Sequence, residues 1–196
     1  MIPRYSLPRM QAVWSDENKF SKMLQIEILT AQALARLGKI PSSAASRIKK
    51  KARFNLKRIA RIEEKTQHDV VAFVTNVAQN LGADAKYLHI GLTSSDLLDT
   101  SLSLQLREAG AIILEDLKIL SRVLSARAKK FKDTVCIGRT HGVHAEPITL
   151  GLKFALWVDE TNRNIKRLQD AILAISVGKI SGAVGTYAHL PPEVEA

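Results

Sequence analysis

An apolar stripe in the second half of the chain constrains the fold more than any other feature. Its spacing of three or four residues keeps one face of a single α-helix apolar from Ser94 or Ser95 to about Phe131. Such a helix is about 54 Å long, which is too long for a small globule and typical of an extended bundle shared between subunits. Gly110 lies inside it and predicts a kink or close packing. The stripe consists of Leu98, Leu102, Leu106, Ala109, Ile113, Leu117, Leu120 and Leu124.

The remainder of the chain also has helical patterns. One predicted helix runs from Ser15, a good N-cap residue, to Leu37, and Gly38 ends it. Only 10 glycines and 6 prolines are present, which suits a mostly helical protein. The sequence therefore predicts an all-α fold, with an N-terminal helical domain over residues 1–93 and the truncated start of a long-helix bundle over 94–196. The other helical patterns cover 42–65, 68–81 and 154–175.

The charge balance indicates an anionic partner. Lys and Arg total 29 against 19 Asp and Glu, a formal charge of +10, which favours nucleic acid, nucleotides or polycarboxylates. A cluster of eight cations between Arg47 and Arg61 is most simply a solvated helical face, and it lacks the aromatic residues that stack on single strands apart from Phe54. With one cysteine, Cys136, and no secretory leader or apolar run of membrane-spanning length, we expect a cytoplasmic protein without a membrane partner.

Three loops carry candidate chemistry, and the first is "HIGLTSSD". Thr93 and Ser94 place hydroxyls at a helix N-terminus, where free N–H groups and the helix dipole favour an anion. The same residues also fit a simple helix cap, because Thr93-x-x-Asp96 has the form of a capping box with Asp in place of Glu. The two interpretations are compatible.

The second loop, "GRTHGVHAEPITLG", contains two of the five histidines. His141 has the chemistry of a general acid or base, because the ordinary histidine pKa lies near neutrality. His144 with His141 has a spacing that metal sites use, but no HExxH pattern and no cysteine pair supports zinc. A structural or solvated role for both histidines is the alternative.

The third loop, "GKISGAVGT", offers Lys179 and Ser181 as polar contacts beside glycines, although a tight turn between helices is the simpler explanation. It lacks the spacing of a Walker or GxGxxG phosphate loop. Two other segments matter. "KTQHDV" has His68 and Asp69 at a helix start, where Asp69 as N-cap beside a surface histidine is the simpler explanation. Arg4 and Tyr5 lie in a tail that suits phosphate and base contacts if it is anchored.

Taken in order, these segments resemble one family over essentially the whole chain. "MIPRYSLPRM", "EKTQHDVVAF", "HIGLTSSDLLDT", "GRTHGVHAEPITLG" and "KISGAVGTY" closely resemble the adenylosuccinate lyases of the fumarase/aspartase superfamily. The resemblance implies an all-α fold whose long helices assemble into a homotetramer. It also implies elimination of fumarate from adenylosuccinate, giving AMP, and from the succinyl-carboxamide intermediate of purine synthesis, with no metal or organic cofactor.

The resemblance also assigns roles. His141 is then the general acid that protonates the leaving nitrogen, and His68 contacts the substrate phosphate and supports His141. Thr93 and Ser94 hold a carboxylate or phosphate, while His89 lines the pocket. Many relatives have arginine where this chain has Gln67, which removes a charged contact. The remaining substrate contacts that it implies are Arg4, Tyr5, Gln67, Asp69, Lys179 and Ser181.

Length is the main departure, because family members are more than twice as long. The resemblance places the general-base serine in the missing part and builds each active site from three subunits, so we expect an N-terminal fragment that is inactive alone. Three alternatives stay open: another superfamily lyase acting on a different succinyl compound, a basic helical nucleic-acid-binding module, and a helical scaffold. The last two leave His141 and Thr93 unexplained.

Overall fold

A computed structural model describes residues 2–196, without the side chain of Pro3. The chain forms seven α-helices and one two-stranded sheet within these residues. The helices are α1 (Pro8–Val13), α2 (Asp16–Arg36), α3 (Ser42–Lys51), α4 (Leu56–Thr66), α5 (Asp69–Ala78), α6 (Ser94–Lys130) and α7 (Leu150–Ile175). The strands are β1 (Val135–Thr140) and β2 (Val143–Thr149), and short 3₁₀ turns cover Pro3–Tyr5, Gly82–Tyr87 and Pro192–Val194.

The residues divide into two compact units. The first comprises residues 1–106 and 176–196, and the second comprises 107–175. The long helix α6 contributes to both, because it spans 37 residues from Ser94 to Lys130. The predicted domain boundary between residues 93 and 94 stays a prediction.

The core of the first unit is built mainly by the apolar faces of helices α2 to α5. Phe20 on α2 stacks on Phe73 of α5 with ring centroids 5.4 Å apart, and Phe54 packs against both rings. Side-chain caps start the helices: the Ser15 hydroxyl accepts from the Asn18 amide, and the Asn55 side chain accepts from the Arg58 amide. The predicted helical region over 42–65 is thus divided into α3 and α4 by the extended segment that ends at Asn55.

In the second unit, α7 runs antiparallel to the last turns of α6. Two close approaches show this direction. A Cβ on Gly110, in the middle of α6, would lie 2.7 Å from Ile172 Cγ1 near the end of α7, and one on Gly151, at the start of α7, would lie 2.6 Å from the Ala128 carbonyl oxygen near the end of α6. Of the two expectations for Gly110, close packing is confirmed, because a larger residue has no room there.

The segment between α6 and α7, predicted only as a break between helices, folds as a β-hairpin. The strands pair antiparallel, with Val135 opposite Thr149 and Thr140 opposite Val143. The register shifts once, near Gly138, where a Cβ would lie 2.5 Å from the Glu146 carbonyl oxygen. A bulge of this kind needs glycine and tolerates Pro147 nearby, which has no amide to donate.

Candidate active site

The N-terminus of α6 is organised around a buried carboxylate. Asp96 has no exposed surface, and its Oδ2 accepts a hydrogen bond of 2.8 Å from the Thr93 amide. This is one half of the predicted capping box, so the cap is confirmed for that half. Because Asp96 takes the capping role, the hydroxyls of Thr93 and Ser94 remain beside the first turn, where a ligand anion would be favoured.

The glycine-rich segment docks onto the same carboxylate through Lys179. The Nζ atom donates to Asp96 Oδ1 at 2.7 Å, to Ser95 Oγ at 3.0 Å and to the Gly182 carbonyl oxygen at 2.7 Å. An ammonium group has three donors, and all three are used here. In this arrangement Lys179 ties two predicted site segments together and has no donor left for a ligand.

The residues around Lys179 also have structural roles. The Lys179 amide donates to Thr100 Oγ1 at 3.0 Å, and the Thr100 hydroxyl lies 3.1 Å from the Lys179 carbonyl oxygen. Ser181 is buried, and its carbonyl oxygen accepts from the Tyr187 amide at 3.1 Å. The segment is therefore a turn fastened to α6, which is the simpler of the two interpretations that the sequence allows.

His68 lies at the start of α5 and reaches α6. The N-cap is His68 rather than Asp69: its Nδ1 accepts from the Val71 amide at 3.4 Å, and its Nε2 lies 3.5 Å from Ser94 Oγ. Nδ1 also lies 3.5 Å from Asp69 Oδ1, so the cap and Asp69 together orient the ring with Nε2 facing the Ser94 hydroxyl. Asp69 is the first helical residue, and its Oδ1 accepts from the Val70 amide at 2.7 Å. The fold thus brings together His68 and Ser94, which are 26 residues apart.

Gln67 immediately precedes this cap in a left-handed conformation, with φ of 52°. Its side-chain amide donates to the Glu64 carbonyl oxygen at 2.9 Å, which closes the C-terminus of α4. The side chain is exposed, so Gln67 lies next to His68 but is used locally.

His89 precedes α6 and contacts a residue that the sequence did not single out. Its amide donates to Glu27 Oε2 at 2.9 Å, and its ring Nδ1 lies 2.6 Å from Glu27 Oε1. Glu27 is buried in α2. A sequence signal existed, because Glu27 occupies the stripe of Phe20, Met23 and Leu34, where an acid must find a buried partner.

His141 lies at the tip of the hairpin in the second unit. His141 and Gly142 are the two turn residues between paired Thr140 and Val143, and both have positive φ, 52° and 76°. This is a type I′ hairpin turn, a conformation that a non-glycine residue adopts at a cost. The Thr140 hydroxyl lies 3.0 Å from His141 Nδ1, which orients the exposed ring.

Two other predicted residues, Arg4 and Tyr5, lie in the 3₁₀ turn near the start of the chain. An Arg4 Nη2 donates to the Tyr5 hydroxyl at 3.1 Å. Both side chains are exposed, so they pair with each other and no described residue of the site contacts them. Apart from His141, every predicted site residue lies in the first unit.

Residues 2–196 contain neither a metal-binding cluster nor a helix that could span a membrane. No cluster of three or more His, Cys, Asp or Glu side chains is arranged to hold a metal ion within these residues. None of the described helices combines the length and apolarity that crossing a bilayer requires.

Comparisons of sequence and of fold both place this helical chain in one family. The chain belongs to the lyase family, whose sequence profile matches residues 4–196. It is 51% identical over 195 residues to the adenylosuccinate lyase of Bacillus subtilis (strain 168), and 48% identical to that of Streptococcus mutans serotype c. Each alignment covers 100% of this chain and 45% of the relative, so the chain spans less than half the length of the curated relatives it matches.

Solved structures show the same fold. A fumarate lyase from Mesorhizobium sp. BNC1 superposes with a TM-score of 0.90 at 32% identity, covering 95% of this chain and 45% of that one. A 3-carboxy-cis,cis-muconate lactonizing enzyme from Pseudomonas putida gives a TM-score of 0.86 at 32% identity, covering 94% and 43%. The predicted fumarase/aspartase-like, all-α fold class is confirmed.

Proposed function

We propose that this chain is part of an adenylosuccinate lyase that eliminates fumarate from adenylosuccinate, giving AMP, and acts on the succinyl-carboxamide intermediate in the same way. The observation that carries the proposal is the 51% identity to a curated adenylosuccinate lyase along all of this chain. The formal charge of +10 suits a substrate with a phosphate and two carboxylates.

His141 is the proposed general acid. Cleavage of the C–N bond leaves a nitrogen that must gain a proton, and a histidine near neutral pH is suited to deliver it. The Thr140 hydroxyl contacts Nδ1, whereas Nε2 makes no hydrogen bond to any residue in the described range 2–196. Nε2 is therefore the nitrogen from which the proton leaves.

The start of α6 is the proposed anion site. Ser94 and Thr93 lie at the N-terminus of a 37-residue helix, where the dipole stabilises a bound carboxylate or phosphate. His68 reaches the same point from α5, so a ligand oxygen there has a hydroxyl and an imidazole nitrogen beside it. Arg4, Tyr5, Gln67, Asp69, His89 and Ser181 stay predicted contacts, and Lys179 acts by holding the glycine-rich segment on Asp96.

We propose that turnover requires more chain than these 196 residues. We also propose that the protein is a homo-oligomer, which is a tetramer in the complete enzyme. Large apolar side chains of α7 are exposed in the single chain, including Leu156, Trp157 and Leu173, and exposed apolar surface of this kind marks an interface. The resemblance places the general-base serine outside this chain. A cytoplasmic location and independence from metals or organic cofactors complete the proposal.

A chimera tests the proposal directly. The 195 matched residues replace their counterparts in the Bacillus subtilis enzyme, and fumarate release from adenylosuccinate is measured. We expect robust release that falls by orders of magnitude in the His141→Ala chimera. A folded chimera without release would refute the assignment, and release that survives His141→Ala would remove His141 from the acid role.

A separate control tests the expectation that the 196-residue chain is inactive alone. The isolated 196-residue chain, assayed beside the chimera, should release no fumarate above background. Release close to that of the chimera would show that the serine-bearing segment is unnecessary.

The alternative enzyme is another superfamily lyase. The muconate lactonizing enzyme from Pseudomonas putida supports it, because a protein named for a different reaction shares this fold at 32% identity. A chimera that is inactive on adenylosuccinate but releases fumarate from a different succinyl compound would favour this alternative.

A further inference from the structure

Glu27 is a buried carboxylate whose two oxygens both face one residue. Its side chain is 1% exposed, on a helix of the first unit. Oε2 accepts from the His89 amide at 2.9 Å, and Oε1 lies 2.6 Å from His89 Nδ1. A buried acid must be satisfied by donors, and here one residue, 62 positions along the chain, supplies both of them.

The contact fixes the backbone as well as the ring. His89 has a φ of 59°, in the left-handed region that few non-glycine residues adopt. Gly91, two residues on, also has positive φ, and a Cβ there would lie 2.5 Å from the His189 carbonyl oxygen. The loop that enters α6 at Thr93 is therefore strained at His89, and Glu27 holds it through the amide.

The chemistry of a carboxylate then determines where the ring proton lies. An ionised carboxylate only accepts hydrogen bonds, so the nitrogen beside it must be the donor. A neutral His89 ring consequently has its proton on Nδ1 and its lone pair on Nε2. Nε2 makes no hydrogen bond to any residue from 2 to 196, and the side chain is 24% exposed.

We infer that Glu27 is a positioning residue that locks His89 in the Nδ1–H tautomer, with Nε2 presented as a hydrogen-bond acceptor. The ligand group that this acceptor takes is a hydroxyl or N–H donor, such as those of a ribose or an amino group. The identity of that ligand as a nucleotide rests on the proposed function, whereas the tautomer and its dependence on Glu27 do not.

The test is the ¹⁵N spectrum of the histidine rings in the intact chain, at about pH 8, above the ordinary histidine pKa. The chain has five histidines, and a His89→Asn variant assigns the His89 signals by their loss. We expect a protonated, pyrrole-type shift for Nδ1 and a pyridine-type shift for Nε2. The opposite tautomer, averaged shifts, or two protonated nitrogens would overturn the inference, and this arm needs no substitution at Glu27.

Glu27→Gln makes a sharper prediction. The amide oxygen must face the His89 backbone N–H, so the NH₂ group faces Nδ1, which can then only accept. The tautomer should exchange, with the proton moving to Nε2. Glu17→Gln, the same change at an exposed position of α2, should leave the ring spectrum unaltered.

A folded Glu27→Gln chain that keeps the wild-type tautomer would refute the role of Glu27. If that variant fails to fold, the wild-type spectrum still decides which nitrogen carries the proton. Because no ligand is added, failure of the chimera to release fumarate would refute the proposed function and leave the tautomer result standing.

Discussion

Replacing Lys179 with methionine tests the joint between the glycine-rich segment and α6. The ammonium group contacts a carboxylate with no exposed surface, at 2.7 Å, while Lys179 itself is 32% exposed. Methionine keeps the length and apolar stem of the side chain but removes the charge and all three donors. Asp96 then keeps only backbone partners, the amides of Thr93 and Gly182 at 2.8 and 3.3 Å.

The size of the effect follows from the burial of Asp96. Breaking a buried ion pair by removing one partner costs about 3–5 kcal/mol, because the remaining charge stays uncompensated. The partial exposure of Lys179 and the two remaining amide donors place this case near the lower end, about 3 kcal/mol. For a chain of this size, that loss in the free energy of unfolding corresponds to a fall in Tm of roughly 6–12 °C.

A matched control separates burial from simple loss of a lysine. Lys19 is 34% exposed, nearly the same as Lys179, but its partner Asp69 is 39% exposed and lies 3.7 Å away. Lys19→Met should therefore cost at most about 1 kcal/mol.

Urea unfolding followed by tryptophan fluorescence measures both variants. The chain has two tryptophans, Trp14 in the first unit and Trp157 in the second. A Trp157→Phe background leaves Trp14 to report on the unit that contains both ion pairs. Equal, small losses for Lys179→Met and Lys19→Met would refute the reasoning, because the buried carboxylate would then not depend on its cation.

Three other predictions follow from named contacts. Gly151→Ala should lower the free energy of unfolding by about 1–3 kcal/mol, because the new Cβ would lie 2.6 Å from both the Ala128 carbonyl oxygen and Lys132 Cα; an unchanged urea midpoint would contradict this. The hydrogen bond from Arg47 lowers the pKa of Asp84 from its ordinary value of 3.8, so its contribution to stability is complete above that value and is lost as pH falls through the lowered pKa. Arg47→Gln should thus flatten the acid limb of stability against pH, and an identical limb would show that the pair does not act. His141→Asn should keep the hairpin, because Asn tolerates the left-handed turn position, yet abolish fumarate release in the chimera; retained release would show that His141 acts only as a turn residue.

The residues of the long helix illustrate how far a local pattern reaches. The eight-residue apolar stripe predicts α6 from Ser94 or Ser95 to about Phe131, and the structure has it from Ser94 to Lys130. Helical periodicity depends only on neighbours along the chain, so it can be detected in a single sequence. The site segments and their order can be identified from the sequence for the same reason, since each is a short, contiguous motif.

The hairpin is a feature that local sequence pattern does not predict. Strand pairing of Val135 with Thr149 and the bulge at Gly138 depend on contacts across the turn, and short strands carry little periodicity of their own. The same holds for the N-cap of α5, where His68 takes the position that sequence preferences assign to Asp69.

The sequence by itself determined the helical class of this protein, the long helix and the histidines worth testing, because these depend on residue type and short spacing. The tertiary structure alone decided what those residues touch. It directed Lys179 onto buried Asp96, brought His68 to Ser94, and joined Glu27 to His89 across 62 residues. Such contacts satisfy buried charges with donors that only the folded chain brings within reach.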